Sequence, residues 1–127
     1  MLSTIILPRF DQVLARQRLG ATVRAIANGF QDARIRALTQ QIQTEVIFDL
    51  PNQRIITPGR LRTIHLPPDI QISLTSAHTE TGGPDIAGFR FYPDGSNTGG
   101  RVTLKGTQLT SSIDLDWLTG QIAFHAR

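Results

Sequence analysis

The longest pattern in the chain is a narrow stripe of apolar residues in its first third. The stripe recurs in steps of four, three, four, three and four residues, which is the period of one face of an α-helix: Leu19, Val23, Ile26, Phe30, Ala33 and Ala37. Pro8 can occupy a first helical turn, and no further proline occurs up to Gln43. The pattern therefore predicts one long helix over residues 9–43.

The stripe does not continue toward the N-terminus. Phe10, Val13 and Leu14 point to a different side of the helix from Leu19 and Val23. A helix of about 35 residues is about 52 Å long, whereas the remaining residues would form a globule about 30 Å across. We therefore expect roughly the first third of the helix to extend beyond its own domain, with apolar side chains left for other molecules to cover.

Beyond residue 43 the apolar residues alternate with polar ones, which is the period of a half-buried strand. The alternation occurs in six segments: 46–50, 70–74, 89–92, 102–105, 113–117 and 122–124. No second helical pattern follows the first. We therefore predict an α+β fold, with one helix packed on an antiparallel sheet of about six or seven strands. The length leaves no room for two domains, so we expect a single domain over residues 1–127, with its β region at 44–127.

Three further segments carry local predictions. Residues 77–88 are rich in threonine and glycine and predict a surface loop. Residues 93–100, Pro-Asp-Gly-Ser-Asn-Thr-Gly-Gly, predict a hairpin connection whose glycines take positive φ. Residues 117–120, Trp-Leu-Thr-Gly, predict the end of a strand that enters a tight turn, and we expect Trp117, the single tryptophan of the chain, to anchor the core there.

The charge of the chain is concentrated in the helix. The net charge is +3, from twelve arginines and one lysine against ten acidic residues. Between Arg9 and Arg36 there are six arginines and two aspartates, a local balance of +4. A basic stripe can bind phosphate groups, but a solvated helix face has the same composition.

No group of residues has the pattern of a catalytic or metal site. The absence of cysteine excludes disulfides and thiolate ligands. His65, His78 and His125 are far apart and lack metal-ligand spacing. Asp114 and Asp116 would share one face of a strand about 7 Å apart, as in some inverting glycosidases, but the alternation around them makes this simply the outward face. We expect no enzyme activity, no cofactor and no metal.

Three segments resemble a known family. Residues 89–101, Phe-Arg-Phe-Tyr-Pro-Asp-Gly-Ser-Asn-Thr-Gly-Gly-Arg, resemble the Phe-x-Pro-Asp-Gly-x-Ser-x-Gly-Gly hairpin of the H-type minor pseudopilins of type II secretion, which share a family with the FimT-like minor pilins. Asn97 and Thr98 stand where Ser-Ser or Ser-Thr is usual. Residues 114–120, Asp-Leu-Asp-Trp-Leu-Thr-Gly, resemble the closing Val-Asp-Trp-Leu-Thr-Gly of the H-type. Residues 30–38 and 46–50 resemble the end of the family's helix and its first strand.

The resemblance implies a pilin-like fold and a non-enzymatic structural role. It implies a subunit at or near the tip of the pseudopilus that contributes to protein export across the outer membrane. The implied partners are other minor and major pseudopilins in a hetero-oligomeric filament, with the secretin or secreted cargo as further contacts. The implied location is the inner membrane of a Gram-negative bacterium, with the globular domain in the periplasm.

The N-terminal region departs from the family. Its members begin with a short basic leader, a Gly–Phe cleavage site, a glutamate five residues into the mature chain and an apolar anchor helix, and none of these is present in the 127 residues. Residues 2–7 resemble only the last turns of that anchor. We therefore expect the sequence to start just outside the membrane segment, so that processing, methylation and membrane insertion concern residues upstream of it.

The predicted overhang and the resemblance together indicate where other subunits would bind. We expect the intersubunit contacts at six residues of the helix: Phe10, Val13, Leu14, Arg16, Arg18 and Arg24. The 77–88 loop is the candidate for tip or cargo contact.

One alternative is a FimT-like minor pilin that binds DNA for uptake, which the excess of arginine favours. Its phosphate-contacting strip would consist of Arg90, Arg101, Lys105 and Arg127. The pair of aspartates at 114 and 116 works against DNA binding, and the Trp-Leu-Thr-Gly match favours the secretion branch.

Overall fold

The computed structural model describes residues 8–58, 63–75, 86–107 and 109–126. In these residues one helix precedes eight strands: α1 (Pro8–Gln40), β1 (Thr44–Asp49), β2 (Arg54–Ile56), β3 (Thr63–His65), β4 (Gln71–Thr75), β5 (Ile86–Phe91), β6 (Gly100–Lys105), β7 (Thr110–Leu115) and β8 (Ile122–Ala126). The predicted α+β class is confirmed. The helix begins one residue before its predicted start and ends three residues before its predicted end.

The described strands form two antiparallel sheets of four strands, where the sequence pattern suggested a single sheet. The strand order is β3-β2-β1-β5 in the first sheet and β4-β6-β7-β8 in the second. Val46 of β1 lies opposite Phe89 of β5, and Val102 of β6 lies opposite Ile113 of β7. These four side chains are fully buried, so each sheet has an apolar row in the common core beneath the helix.

A cluster of four phenylalanines holds the helix on the first sheet. The ring of Phe89 makes edge-to-face contacts with Phe30 and Phe48, at centroid distances of 5.5 and 5.4 Å. Phe91 contacts Phe30 at 5.9 Å, and all four rings are fully buried. Burying each ring contributes about 1.5–3 kcal/mol, and each aromatic pair adds about 0.5–1.5 kcal/mol. The predicted helical stripe is buried here, except that Val23 is only partly covered.

The end of the helix is defined by local hydrogen bonds. Gln41 takes a left-handed backbone conformation, with φ of 54°, and its side-chain amide donates to the carbonyl of Leu38 at 2.8 Å. The buried hydroxyl of Thr44 donates to the carbonyl of Ala33 at 2.8 Å. A left-handed residue ends a helix sharply. The chain therefore enters β1 directly under the helix.

Two local predictions require correction. Trp117 does not anchor the core, because β7 ends at Leu115 and the indole lies on the surface, with 63% of the residue exposed. Of the loop predicted over residues 77–88, Ile86, Ala87 and Gly88 instead begin β5 and pair with β1. The rest of that segment lies outside the described residues.

The connection at residues 93–100 forms a local hairpin, but it does not join two paired strands. The amide of Tyr92 donates to the carbonyl of Ser96 at 2.9 Å, and Phe91 pairs with Asn97 in an isolated bridge. The connection then leads from β5 in the first sheet to β6 in the second. Its glycines at 95, 99 and 100 all have positive φ, as predicted.

Candidate partner-binding surfaces

The first turns of α1 lie on the surface of the protein. In residues 11–18, which we call the free helix segment, every residue except Ala15 is exposed. Val13 is 50% exposed and Leu14 is 49% exposed, whereas Leu19 is only 3% exposed. Leu19 is the first fully buried residue, and it contacts Gly106 in the turn after β6. The same turn reaches further back along one side of the helix, where it lines a cleft with Gln12, Ala15 and Arg16. The side chain of Phe10 lies outside the described side chains.

Charged side chains of both signs lie near this apolar surface, since the exposed Asp11 precedes Leu14 by three residues. Arg16 and Arg24 are exposed, and the guanidinium of Arg24 lies back along the helix over Gly20. Arg18 differs from the other two, because it forms an ion pair of 2.8 Å with Asp69 in its own chain. Of the three arginines predicted to bind partners, Arg18 is thus already engaged within the fold.

A second exposed apolar surface lies in the turn between β7 and β8. In residues 116–120, which we call the tryptophan turn, Leu118 is 71% exposed beside the exposed Trp117. A carboxylate oxygen of Asp116 accepts hydrogen bonds from the amides of Leu118 and Thr119 at 2.9 and 3.4 Å. The carbonyl of Asp116 accepts further bonds from Gly120 and from the side chain of Asn97. The turn is therefore held in place, and it presents its two apolar side chains to solvent.

The surroundings of the tryptophan turn contain charges of both signs. The backbone amides of Leu118 and Thr119 lower the pKa of Asp116 below its ordinary value. The hydroxyl of Ser96, followed by its amide, lowers the pKa of Asp94 in the neighbouring turn. Both carboxylates are therefore charged at neutral pH. Basic groups also lie nearby, because a Cβ atom on Gly120 would stand 3.3 Å from Nε of Arg34, and Arg101 lines the same depression as Trp117.

The outer face of the second sheet carries a network of paired charges. The guanidinium of Arg101 forms two hydrogen bonds with the carboxylate of Asp114, at 2.5 and 3.1 Å. The imidazole of His125 lies 3.2 Å from the same carboxylate. An open depression beside this network is lined by hydroxyl groups, including those of Thr103 and Ser112.

Comparisons with known proteins agree on one family. No protein-family model matches the sequence. Type II secretion system protein H of Xanthomonas campestris pv. campestris is 27% identical over 105 residues, which cover 83% of this chain and 62% of that protein. The chain thus spans less than two thirds of the length of this relative. The fold matches the minor pseudopilin EpsH from the Type 2 Secretion System of Vibrio cholerae with a TM-score of 0.55, over 91% of this chain and 95% of that one, at 9% identity. The relative supports the predicted resemblance to H-type pseudopilins, and the structural match supports the pilin-like fold.

Two arginines of the phosphate-binding strip in the DNA-binding alternative are already engaged in ion pairs. Arg90 is paired with Glu45 at 3.0 Å in the first sheet, and Arg101 is paired with Asp114 in the second. Lys105 is exposed, and Arg127 lies outside the described residues. Neither the described geometry nor the comparisons support DNA binding by this chain.

The two aspartates considered for glycoside hydrolysis do not form a pair on one strand. Asp114 lies in β7 and binds Arg101, whereas Asp116 lies in the tryptophan turn and binds backbone amides. The carboxylates therefore have separate structural partners. Within the described part of the chain, no three side chains of the metal-binding types lie together.

The exposure of Trp117 is the feature that sequence reasoning missed. The sequence predicts a tight turn at residues 117–120, but a lone tryptophan at the end of an alternating segment favours burial, and that expectation concealed the exposed apolar surface. The available signal was Asp116, because an aspartate followed by Thr119 and Gly120 is typical of a turn capped by its own side chain. In the folded chain this cap holds the turn that carries Trp117 on the surface.

Proposed function

We propose that this pseudopilin is a non-enzymatic structural subunit of the type II secretion pseudopilus, at or near its tip, and that it contributes to protein export across the outer membrane. Its partners would be other minor and major pseudopilins. The secretin or secreted cargo would be further contacts.

The free helix segment is the observation that carries this proposal. A surface helix normally turns its apolar residues toward its own core, because exposed apolar area is unfavourable in water. Val13 and Leu14 instead lie on the part of α1 that the sheets leave uncovered. A neighbouring helix in a filament would cover these side chains, which is consistent with the name of the relative and with the matched fold.

The surface charges support a structural role. Arg101, Arg54 and Arg90 are each paired with a carboxylate across neighbouring strands. Because each of these six groups is satisfied by its own partner, the three pairs are not directed at a common point, as general acid–base catalysis would need.

We also propose that the protein is anchored in the inner membrane, with its globular domain in the periplasm. None of the described residues belongs to a helix both long and apolar enough to span a bilayer. The proposed membrane anchoring therefore rests on the resemblance of the sequence to the H-type minor pseudopilins and on the similarity to the relative from Xanthomonas campestris pv. campestris.

Complementation tests the proposed function. In a Gram-negative bacterium that lacks its own H-type pseudopilin, this chain would be supplied behind that protein's leader and anchor segment. We expect secretion of type II substrates to be restored and the chain to co-purify with other pseudopilins. Absence of both results would contradict the proposal, and DNA binding that weakens steeply with salt would favour the alternative.

A further inference from the structure

The outer face of the second sheet is polar in regular rows. In β4, β6 and β7, every side chain that points away from the core carries a hydroxyl, an amide or a charge. One row crosses the sheet in register through four polar side chains: Ser73, Thr103, Ser112 and His125. The neighbouring row contains three more: Thr75, Arg101 and Asp114. Hydrogen-bonding groups therefore follow one another across this face at the strand spacing of about 4.8 Å.

The exposed Trp117 stands at one end of this face. Trp117, Arg101 and Asp114 line one open depression of about 450 Å³, which is also lined by the backbone of Gly99 and Gly100. That volume lies in the range of small-molecule sites. A Cβ atom on Gly99 would stand 3.1 Å from Cβ of Trp117, so the tryptophan packs closely over the glycine. This contact and the hydrogen bonds of the tryptophan turn hold Trp117 at the edge of the depression.

The charge inside the depression is balanced. The guanidinium of Arg101 donates two hydrogen bonds to the carboxylate of Asp114, at 2.5 and 3.1 Å. A guanidinium has five N–H groups, so three are left to donate to a ligand, and the carboxylate oxygens can still accept. A phosphate or an ammonium group gains little from a pair whose charges cancel. A neutral ligand rich in hydroxyl groups can use both the donors and the acceptors of the pair.

The depression beside Trp117 adjoins a second one. Arg101 also lines the hydroxyl-rich depression that contains Thr103 and Ser112. From Arg101 to Thr103 the strand advances about 7 Å. A ligand that reached from the indole to the hydroxyl row would therefore need more than one ring.

We propose that this face binds an oligosaccharide, a neutral chain of linked pyranose rings. The residues that we call the glycan site are Trp117, Arg101, Asp114, Thr103 and Ser112. The C–H groups on one face of a sugar ring would lie on the electron-rich face of the indole. The sugar hydroxyls would hydrogen-bond to the ion pair and to the hydroxyl row.

The polar rows favour a sugar over an apolar partner. An apolar surface pressed on this face would bury the ion pair and the hydroxyl row without new hydrogen bonds, which is unfavourable. A sugar covers the indole and satisfies these groups at the same time. The glycan site goes beyond the proposed structural role and does not depend on it.

Fluorescence tests the proposal directly, because Trp117 is the single tryptophan of the chain. The chain would be titrated with two soluble hexasaccharides: cellohexaose, which carries hydroxyls alone, and chitohexaose, which adds acetamido groups. We expect at least one of them to shift the tryptophan emission to shorter wavelength, with saturation and a Kd below about 1 mM.

A pair of arginine variants tests the site itself. Arg101→Met keeps the tryptophan reporter but removes the donors of the ion pair, so it should bind the sugar at least about tenfold more weakly. The control Arg24→Met makes the same change at an exposed position of the helix and should bind like the parent chain. Thermal melts of both variants would show that they are folded.

Several results would overturn the glycan site. The absence of a saturable shift with both hexasaccharides would do so, as would an Arg101→Met affinity equal to that of the parent chain. Polyethylene glycol that reproduced the shift would show non-specific contact, and glucose that bound as tightly as the better hexasaccharide would contradict a ligand of several rings. A shift caused by other pseudopilins but by neither sugar would assign the indole to a protein contact. None of these results bears on complementation, which tests the proposed function separately.

Discussion

The carbonyl oxygen of Gly95 lies 2.2 Å from the position that a Cβ atom on Gly120 would occupy. The two glycines belong to the two turns that carry the family-like motifs, and only a residue without a side chain allows the turns to approach this closely. Gly120 also has a φ of 76°, a conformation that other residues rarely adopt. The position of the tryptophan turn therefore depends on glycine at 120.

Replacing this glycine should destabilise the fold. We expect Gly120→Ala to lower the free energy of unfolding by about 2–4 kcal/mol, from the backbone clash and the left-handed conformation together. Chemical denaturation followed by circular dichroism measures the change. A loss below about 0.5 kcal/mol would mean that the two turns separate easily, and it would contradict the close packing.

Two glycines in the same helix should respond to alanine in opposite ways. A Cβ atom on Gly20 would meet only the end of the flexible Arg24 side chain, at 3.4 Å, so Gly20→Ala should gain up to about 1 kcal/mol of helix propensity. A Cβ atom on Gly29 would stand 2.9 Å from the side-chain methyl of buried Thr57, so overpacking should offset or exceed the same gain.

The measurement is the difference in unfolding free energy between these two alanine variants, each of which serves as the control for the other. We expect Gly20→Ala to be the more stable by at least about 1 kcal/mol. Equal stabilities would show that the helix can move away from the first sheet at Gly29 without cost.

Much of the fold follows from patterns that extend over five or more residues. The stripe from Leu19 to Ala37 and the alternation in β1, β6 and β7 identified most of the buried hydrophobic side chains in the described residues. The strands β2 and β3 are three residues long, and so short a segment shows no recognisable period. The division into two sheets depends on which distant strands pair, which alternation within one strand does not specify.

The two candidate surfaces also differ in how much of each could be predicted from the sequence. The change of apolar face near Leu14 indicated an uncovered start to the helix, and Val13 and Leu14 are exposed there; their contact with partners remains a prediction. The exposure of Trp117 in the predicted turn could not be found from alternation, because Ile113, Leu115 and Trp117 continue one period while the backbone has already turned. Hydrogen bonding by Asp116 outweighs the tendency of tryptophan to be buried.

The carboxylate of Asp116 should make the stability of the fold depend on acid pH. Backbone amides lower its pKa in the folded chain below the ordinary 3.8, so its contribution is present above that value and is lost as the pH falls through the lower, folded pKa. The control variant Asp116→Asn keeps an acceptor but cannot titrate. Its melting temperature should lie below that of the parent chain at pH 7, and the gap should narrow as the pH falls below about 3.8. A difference in melting temperature that stays constant with pH would show that the charge of Asp116 contributes nothing to the stability of the fold.

A charge on the free helix segment should leave the fold intact. Leu14→Asp alters a side chain that is half in water, so we expect a change within about 0.5 kcal/mol in the free energy of unfolding. Leu19→Asp, five residues later in the same helix, would bury an unpaired carboxylate and should cost more than about 4 kcal/mol. Thermal melts compare the two variants. A large loss of unfolding free energy in the Leu14→Asp variant would mean that Leu14 belongs to the core of its own domain.

Co-purification with other pseudopilins tests the central claim most directly, namely that the free helix segment is covered by neighbouring subunits. The parent chain, Leu14→Asp and the control Asn28→Asp, which adds the same charge at another exposed helix position, would be compared in cells that secrete through the type II pathway. The account predicts that Leu14→Asp is recovered with the other pseudopilins at least about tenfold less than the parent chain, while Asn28→Asp is recovered as well as the parent. Equal recovery of all three chains, each folded, would contradict it.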